Sequence, residues 1–249
     1  MDVEKYLIIL LIAHILGDFY FQTEKLAKLK EERYTGVLIH SFEYWGVSVC
    51  VMMPMINLDM LLASTCLSVF HLLIDSVKYI LVNEKKVINS EKVFIWDQSF
   101  HMLSIFILSY IMLCWNFNIS SYKIINDIFA AYKVEKMMLL RWILVVLCLC
   151  KPSNILIQNL LSGYKPKEKS ESQIIIVDNR VGRRIGALER LIMFMFIAMN
   201  QYAALGLVLT AKSIARYDKI AKDEKFAEYY LLGTLLSTAC VVICKLFIM

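Results

Sequence analysis

Apolar runs about as long as a bilayer core alternate along this chain with short polar connections. A spanning helix needs about 20 predominantly apolar residues. The pattern predicts such helices near 5–22, 36–56, 60–82, 93–115, 137–161, 190–211 and 229–249. The fold class this implies is all-α, a polytopic transmembrane helix bundle of about six to seven membrane segments. Two regions follow: a four-helix membrane domain over 1–116, and a C-terminal membrane region over 117–249 with a cytoplasmic loop at 163–189. The fifth run is interrupted by Lys151-Pro152-Ser153-Asn154, where proline removes a helix donor. A span ending near Cys150 and then a short amphipathic piece are expected there. Within the polar stretch, Ile174-Ile175-Ile176-Val177 reads as a short strand. The 190–211 run either crosses directly or turns back near Asn200-Gln201, because the basic stretch 212–228 would otherwise lie outside.

Composition agrees with the pattern. Of 249 residues, 59% are hydrophobic, and the mean hydropathy is +0.60. The first run follows Asp2 and Glu4 and contains His14 and Asp18 without a small-x-small cleavage site, so it reads as a permanent span rather than a signal. All seven cysteines fall in candidate spans without a CxxC pair, as packing residues in a reducing setting would. The net charge of +5 suits loops against anionic headgroups, and no basic-aromatic pattern points to nucleic acid. Connection 23–34 carries Lys25, Lys28, Lys30 and Arg33, connection 83–92 carries Lys85, Lys86 and Lys92, and Met55–Asp59 carries no basic residue. Short basic loops stay cytoplasmic. The N-terminus is therefore expected outside and the first and third loops inside, as in a multi-pass protein of a bacterial inner membrane.

The candidate chemistry lies inside the apolar runs. All four histidines fall within the first 101 residues: His14 pairs with Asp18, His71 with Asp75 and Asp97 with His101, while His40 precedes Glu43. Residues four apart share a helix face, and an intramembrane ionisable group marks function by default. The order is reversed in the fourth span, which runs antiparallel to the first and third. Asp18, Asp75 and Asp97 should then form one layer and His14, His71 and His101 another, roughly 6 Å apart at the helical rise. Such a set suits a divalent transition metal, zinc, iron or manganese, with two ions fitting the ligand count better than one. The expected ligands are His14, Asp18, His40, His71, Asp75, Asp97 and His101. Asp97 and Glu43 are candidate general bases, and Gln22 and Gln98 could orient water or substrate. The bland alternative is a set of interhelical hydrogen bonds without chemistry.

The segments LIAHILGDFYFQTEKLAKLK, LIHSF, HLLIDSVKY and WDQSFHMLSI resemble a bacterial family of polytopic membrane proteins known as domain of unknown function 3307. GRRIGALERLIMF, AKSIAR and EYYLLGTLLS look like the C-terminal extension of its longer members. The resemblance carries His14, Asp18, Gln22, His40, His71, Asp75, Asp97, Gln98 and His101 as site positions, and implies no established reaction. A looser similarity links the histidine–aspartate spans to membrane-bound metal-dependent hydrolases.

In GRRIGALER, Arg184 and Arg190 could clamp a phosphate of a lipid or nucleotide cofactor, or simply anchor the membrane boundary. The leading expectation is a membrane metallohydrolase acting on a lipid-like or amphiphilic substrate from the cytoplasmic side. The alternatives are a sensor or scaffold meeting a cytoplasmic protein through 163–189, and a metal or proton transporter. No GxGxxG, Walker, GxSxG or HExxH pattern occurs.

Overall fold

The computed structural model describes residues 2–85, 90–164 and 172–248. Its helices are α1 (Asp2–Ile15), α2 (Glu24–Glu32), α3 (Tyr34–Met52), α4 (Leu58–Lys85), α5 (Ser90–Cys114) and α6 (Lys123–Ala131). They continue with α7 (Lys136–Leu160), α8 (Ser172–Ala198), α9 (Tyr202–Ile214), α10 (Tyr217–Lys222) and α11 (Glu224–Ile248). There is no strand among the described residues. Five helices are long and apolar enough to cross a membrane, and α1 with α2 makes a sixth if that bent pair is one span. The architecture is an all-α polytopic bundle.

Contacts divide the chain into two units, Met1–Leu144 and Val145–Met249. In the first, α1, α3, α4 and α5 form an antiparallel four-helix bundle in which each helix packs against two others. Leu10, Met52, Met60, Ala63, Leu67, Ile105 and Met112 form its buried core. One end is clipped by polar contacts. The Asn57 side chain caps α4 through Met60 N at 3.0 Å and donates to Asn118 O at 2.8 Å, while Tyr6 OH donates to Phe117 O at 2.6 Å. Asn116 closes α5 in the left-handed region (φ 51°), a conformation asparagine tolerates at a helix C-terminus.

At the other end the chain bends by 91° between α1 and α2. Leu16–Phe21 continues α1 as a π-helix, and Thr23 caps α2 by accepting from Leu26 N at 3.2 Å. Gly36 lets α3 approach α2 closely: a Cβ there would lie 2.5 Å from the backbone of Leu29 and Lys30.

The second unit corrects two expectations and decides a third. Helix α7 does not end near Cys150 but runs through Pro152. Carbonyls near Pro152 find side-chain donors: Ser153 Oγ donates to Cys148 O at 2.7 Å, and Arg190 Nε donates to Leu149 O at 2.7 Å. Ile174–Val177 is not a strand but part of α8, so the polar stretch is helical from Ser172; the preceding 165–171 lies outside the described residues, as do 86–89 of the third loop. The 190–211 run is not one crossing. Asn200 (φ 58°) stops the helix, Gln201 N donates back to Phe196 O at 2.7 Å, and α9 folds against α8. With 13 residues, α9 is shorter than the roughly 20 a crossing requires.

Candidate metal centre

Each of the four bundle helices brings one histidine to the same interior point, and no imidazole is more than 2% exposed. His14 ends α1, and Asp18 follows in the π-helical turn, a feature often found at functional sites. His40 lies on α3, His71 and Asp75 on α4, Asp97 and His101 on α5. Tyr44 locks the rings in place. Its hydroxyl lies 3.2 Å from His14 Nδ1, and its ring centre is 3.9 Å from that of His71. Tyr44 also packs so tightly on Gly17 that a Cβ there would come within 2.6 Å of its ring.

Three groups of ligand-type atoms result: His14, His71 and His101; Asp18, His40 and His71; and Asp75, Asp97 and His101, each set within 4.8 Å. The first is the histidine layer expected from the sequence. In the second, His40 Nε2 is 3.0 Å from His71 Nε2 and 3.3 Å from Asp18 Oδ1, and His71 Nε2 is 3.8 Å from Asp18 Oδ1. Asp75 Oδ2 lies outside this group, 4.0 Å from His40 Nε2 and 3.7 Å from His71 Nε2. Tetrahedral zinc with bonds of about 2.0–2.2 Å has ligand–ligand edges of about 3.3–3.6 Å. The three atoms of the second group, 3.0, 3.3 and 3.8 Å apart, stand near that spacing.

In the third group His101 Nε2 is 3.9 Å from Asp75 Oδ1 and 3.6 Å from Asp97 Oδ1. All three of these atoms are buried without a hydrogen-bond partner. Asp75 belongs to the third group, and its Oδ2 faces His40 and His71 of the second.

The carboxylates' other contacts come from cations and amides. Lys30 of α2 reaches in to Asp75 Oδ2 at 2.6 Å and lies 3.9 Å from Asp18 Oδ1. Lys78 donates to Asp97 Oδ2 at 2.8 Å. Gln98 joins Asp18 Oδ2 (3.1 Å) to Asp97 Oδ2 (3.4 Å), and the Gln22 amide, turned nitrogen inward, donates to Asp18 Oδ1 at 3.2 Å. Such contacts orient metal ligands from behind. Three buried carboxylates against two ammonium groups leave one net negative charge when the imidazoles are neutral. One protonated imidazole or one bound cation would balance that charge.

The imidazoles also form a chain, His40 to His71 through Nε2 and His71 to His101 through Nδ1 at 3.2 Å. Each contact between neutral rings needs one N–H and one lone pair. The chain can pass a proton only while His40 Nε2 and His71 Nε2 are not both ligands.

The family model described as "Protein of unknown function (DUF3307)" matches residues 6–130. The chain belongs to this family. No curated protein and no solved structure matches it. The DUF3307 match covers the four bundle helices and every member of the histidine–aspartate cluster.

Three expected site residues fall elsewhere. Glu43 is half-buried on α3 and belongs to none of the three groups. Arg184 is exposed on α8, whereas Arg190 is buried and bonds Leu149 O, Cys150 O (3.4 Å) and Asn154 Oδ1 (2.6 Å). That places Arg190 as a brace for α7 around Pro152. Lys30 and Tyr44 are additional members of the DUF3307 cluster that the sequence pattern did not single out.

Proposed function

We propose that this protein is a membrane-embedded, metal-dependent hydrolase acting on a lipid-like amphiphile, with its centre near the cytoplasmic face. The observation that carries the proposal is the convergence of Asp75 Oδ1, Asp97 Oδ1 and His101 Nε2, three buried ligand-type atoms with no hydrogen-bond partner. Asp18, His40 and His71, with Asp75 beside them, would hold a first ion, and Asp75, Asp97 and His101 a second, with His14 in the histidine layer next to His71 and His101. Zinc, iron or manganese suits this mixture of imidazole and carboxylate. When bound, such ions acidify water and polarise an ester or phosphoryl oxygen.

The chain's own groups supply the rest. Gln98 and Lys78 fix the carboxylates, Tyr44 fixes two imidazoles, and Asp97 would take the proton of an attacking water and pass it to the leaving group. The leaving oxygen would then carry a proton away as the scissile bond breaks.

A conduit fits less well. Beyond the histidines the bundle is filled by Leu10, Met52, Met60, Leu67 and Ile105, which make an apolar plug. The imidazole chain does favour one second reading, proton handling without metal, in which His40, His71 and His101 relay protons to Asp75 and Asp97.

The test is turnover by the full chain in detergent, loaded with zinc, iron or manganese, on amphiphilic phosphate esters, acyl esters and amides. Hydrolysis of one class that is lost with a chelator, regained with metal and absent in His101→Ala is expected. Turnover that survives both treatments, or none from metal-loaded protein, contradicts the proposal.

A further inference from the structure

We infer that Lys30 is a tethered cation that competes with metal for the Asp18–His40–His71 group, so that the two ion places load unequally and Lys30 must withdraw before the guarded one fills. This rests on the two-ion part of the reading above. The two lysines of the cluster meet their carboxylates on opposite sides. Lys78 bonds Asp97 Oδ2 at 2.8 Å, while Asp97 Oδ1 is the oxygen that faces His101 Nε2 at 3.6 Å. Lys78 therefore leaves the ligand face of its carboxylate clear. Lys30 does the reverse. Its Nζ lies 2.6 Å from Asp75 Oδ2, the oxygen that faces His40 and His71, and 3.9 Å from Asp18 Oδ1, a member of the second group. An ion held about 2.0–2.2 Å from Asp18 Oδ1 would stand within about 6 Å of that ammonium. Like charges that close in a buried place repel strongly, because little water screens them. The third group carries no such guest, since Asp75 Oδ1, Asp97 Oδ1 and His101 Nε2 have no hydrogen-bond partner.

The fold holds Lys30 there in a way that can be undone. The 91° bend and the Thr23 cap turn α2 away from the axis of α1, and the backbone of Leu29 and Lys30 rests on Gly36. The tether point is thus fixed while the side chain keeps its flexible stem. No residue of α2 is fully buried, and the Lys30 side chain is itself 11% exposed. The ammonium can therefore swing out to water without any helix moving, as long basic side chains do at such boundaries. Lys25 and Lys28 of the same helix are exposed in that manner. A permanent counter-ion would need neither the ligand-facing oxygen nor a place on a surface helix. Lys30 seated leaves one ion place open, and Lys30 withdrawn leaves two.

The experiment is a zinc titration of the full chain in detergent, read as ions bound per chain and as lysine acetylation by a water-soluble N-hydroxysuccinimide ester, mapped by mass spectrometry. Lys30 should be shielded relative to Lys25 and Lys28 until the weaker zinc binds, and then react severalfold faster while those two stay unchanged. Lys30→Met should bind the tighter zinc as the parent does and the weaker one about tenfold more strongly, a change of about 1.4 kcal/mol. If Lys30→Met does not fold, acetylation of the parent decides alone. Zinc that saturates the protein with Lys30 still shielded would overturn the inference. So would weaker zinc binding by Lys30→Met, the result expected of a supporting counter-ion, or a single zinc per chain in parent and variant alike. Lys30 released by zinc without hydrolysis of any ester or amide would keep the inference and remove the hydrolase. Metal-dependent hydrolysis with Lys30 shielded throughout would do the reverse, and no zinc bound by either protein would end both.

Discussion

Asp75 turns its two carboxylate oxygens toward different histidines, Oδ2 toward His40 and His71 and Oδ1 toward His101. Asp75→Asn should therefore lower occupancy of both ions, and Asp97→Asn that of one, as read by metal per chain after desalting. Equal losses in the two variants would contradict a shared Asp75. Gln98 touches no ion in this account but joins Asp18 to Asp97, so Gln98→Ala should weaken metal affinity by about 10- to 100-fold, measured by competition with a chelating dye. The histidines and aspartates were legible in the sequence because each interrupts an apolar run where a charge is costly. Lys30 was not, because its neighbours Lys25 and Lys28 give it the look of one more basic loop residue. Tyr44 was hidden for the opposite reason, since an aromatic in a span is ordinary until its partners are known.

Helix α2 reaches the cluster only because three local features agree: the π-helical turn after His14, the Thr23 cap, and Gly36 against the backbone of Leu29 and Lys30. Gly36→Ala must push α2 outward, since the clash is with main chain that cannot rotate aside. It should cost about 1–3 kcal/mol, as overpacking does, and speed trypsin cleavage after Lys30. An unchanged melting temperature with unchanged cleavage would refute this role for Gly36. In α7 the sequence pattern misled. Pro152 predicts a helix end by local rules, yet Ser153 and Arg190 supply donors from side chains to nearby carbonyls, one of them from a distant helix. Arg190→Met should lower stability by about 1–3 kcal/mol, the cost of leaving buried acceptors unpaired, while metal content stays constant. Loss of metal would return Arg190 to the functional site. Ile174–Val177 illustrates the same limit, because a short apolar run fits strand and helix equally until its continuation is known.

For the whole molecule, hydropathy was enough to specify a polytopic all-α bundle, since backbone groups in lipid must be satisfied within a helix. It could not decide 190–211, where a single left-handed asparagine turns a long apolar run into two helices. The cluster's common depth follows from antiparallel helices carrying the same pairs in opposite order, which fixes geometry without any knowledge of contacts. Whether that geometry holds metal is the claim on which the account turns. The most direct measurement is elemental analysis of the full chain purified in detergent, after desalting and without added chelator. The account predicts about two zinc, iron or manganese ions per folded chain, as expected of a two-metal centre, falling markedly in His71→Ala. A folded, monodisperse protein that carries none of these metals and takes up none when they are supplied would contradict it.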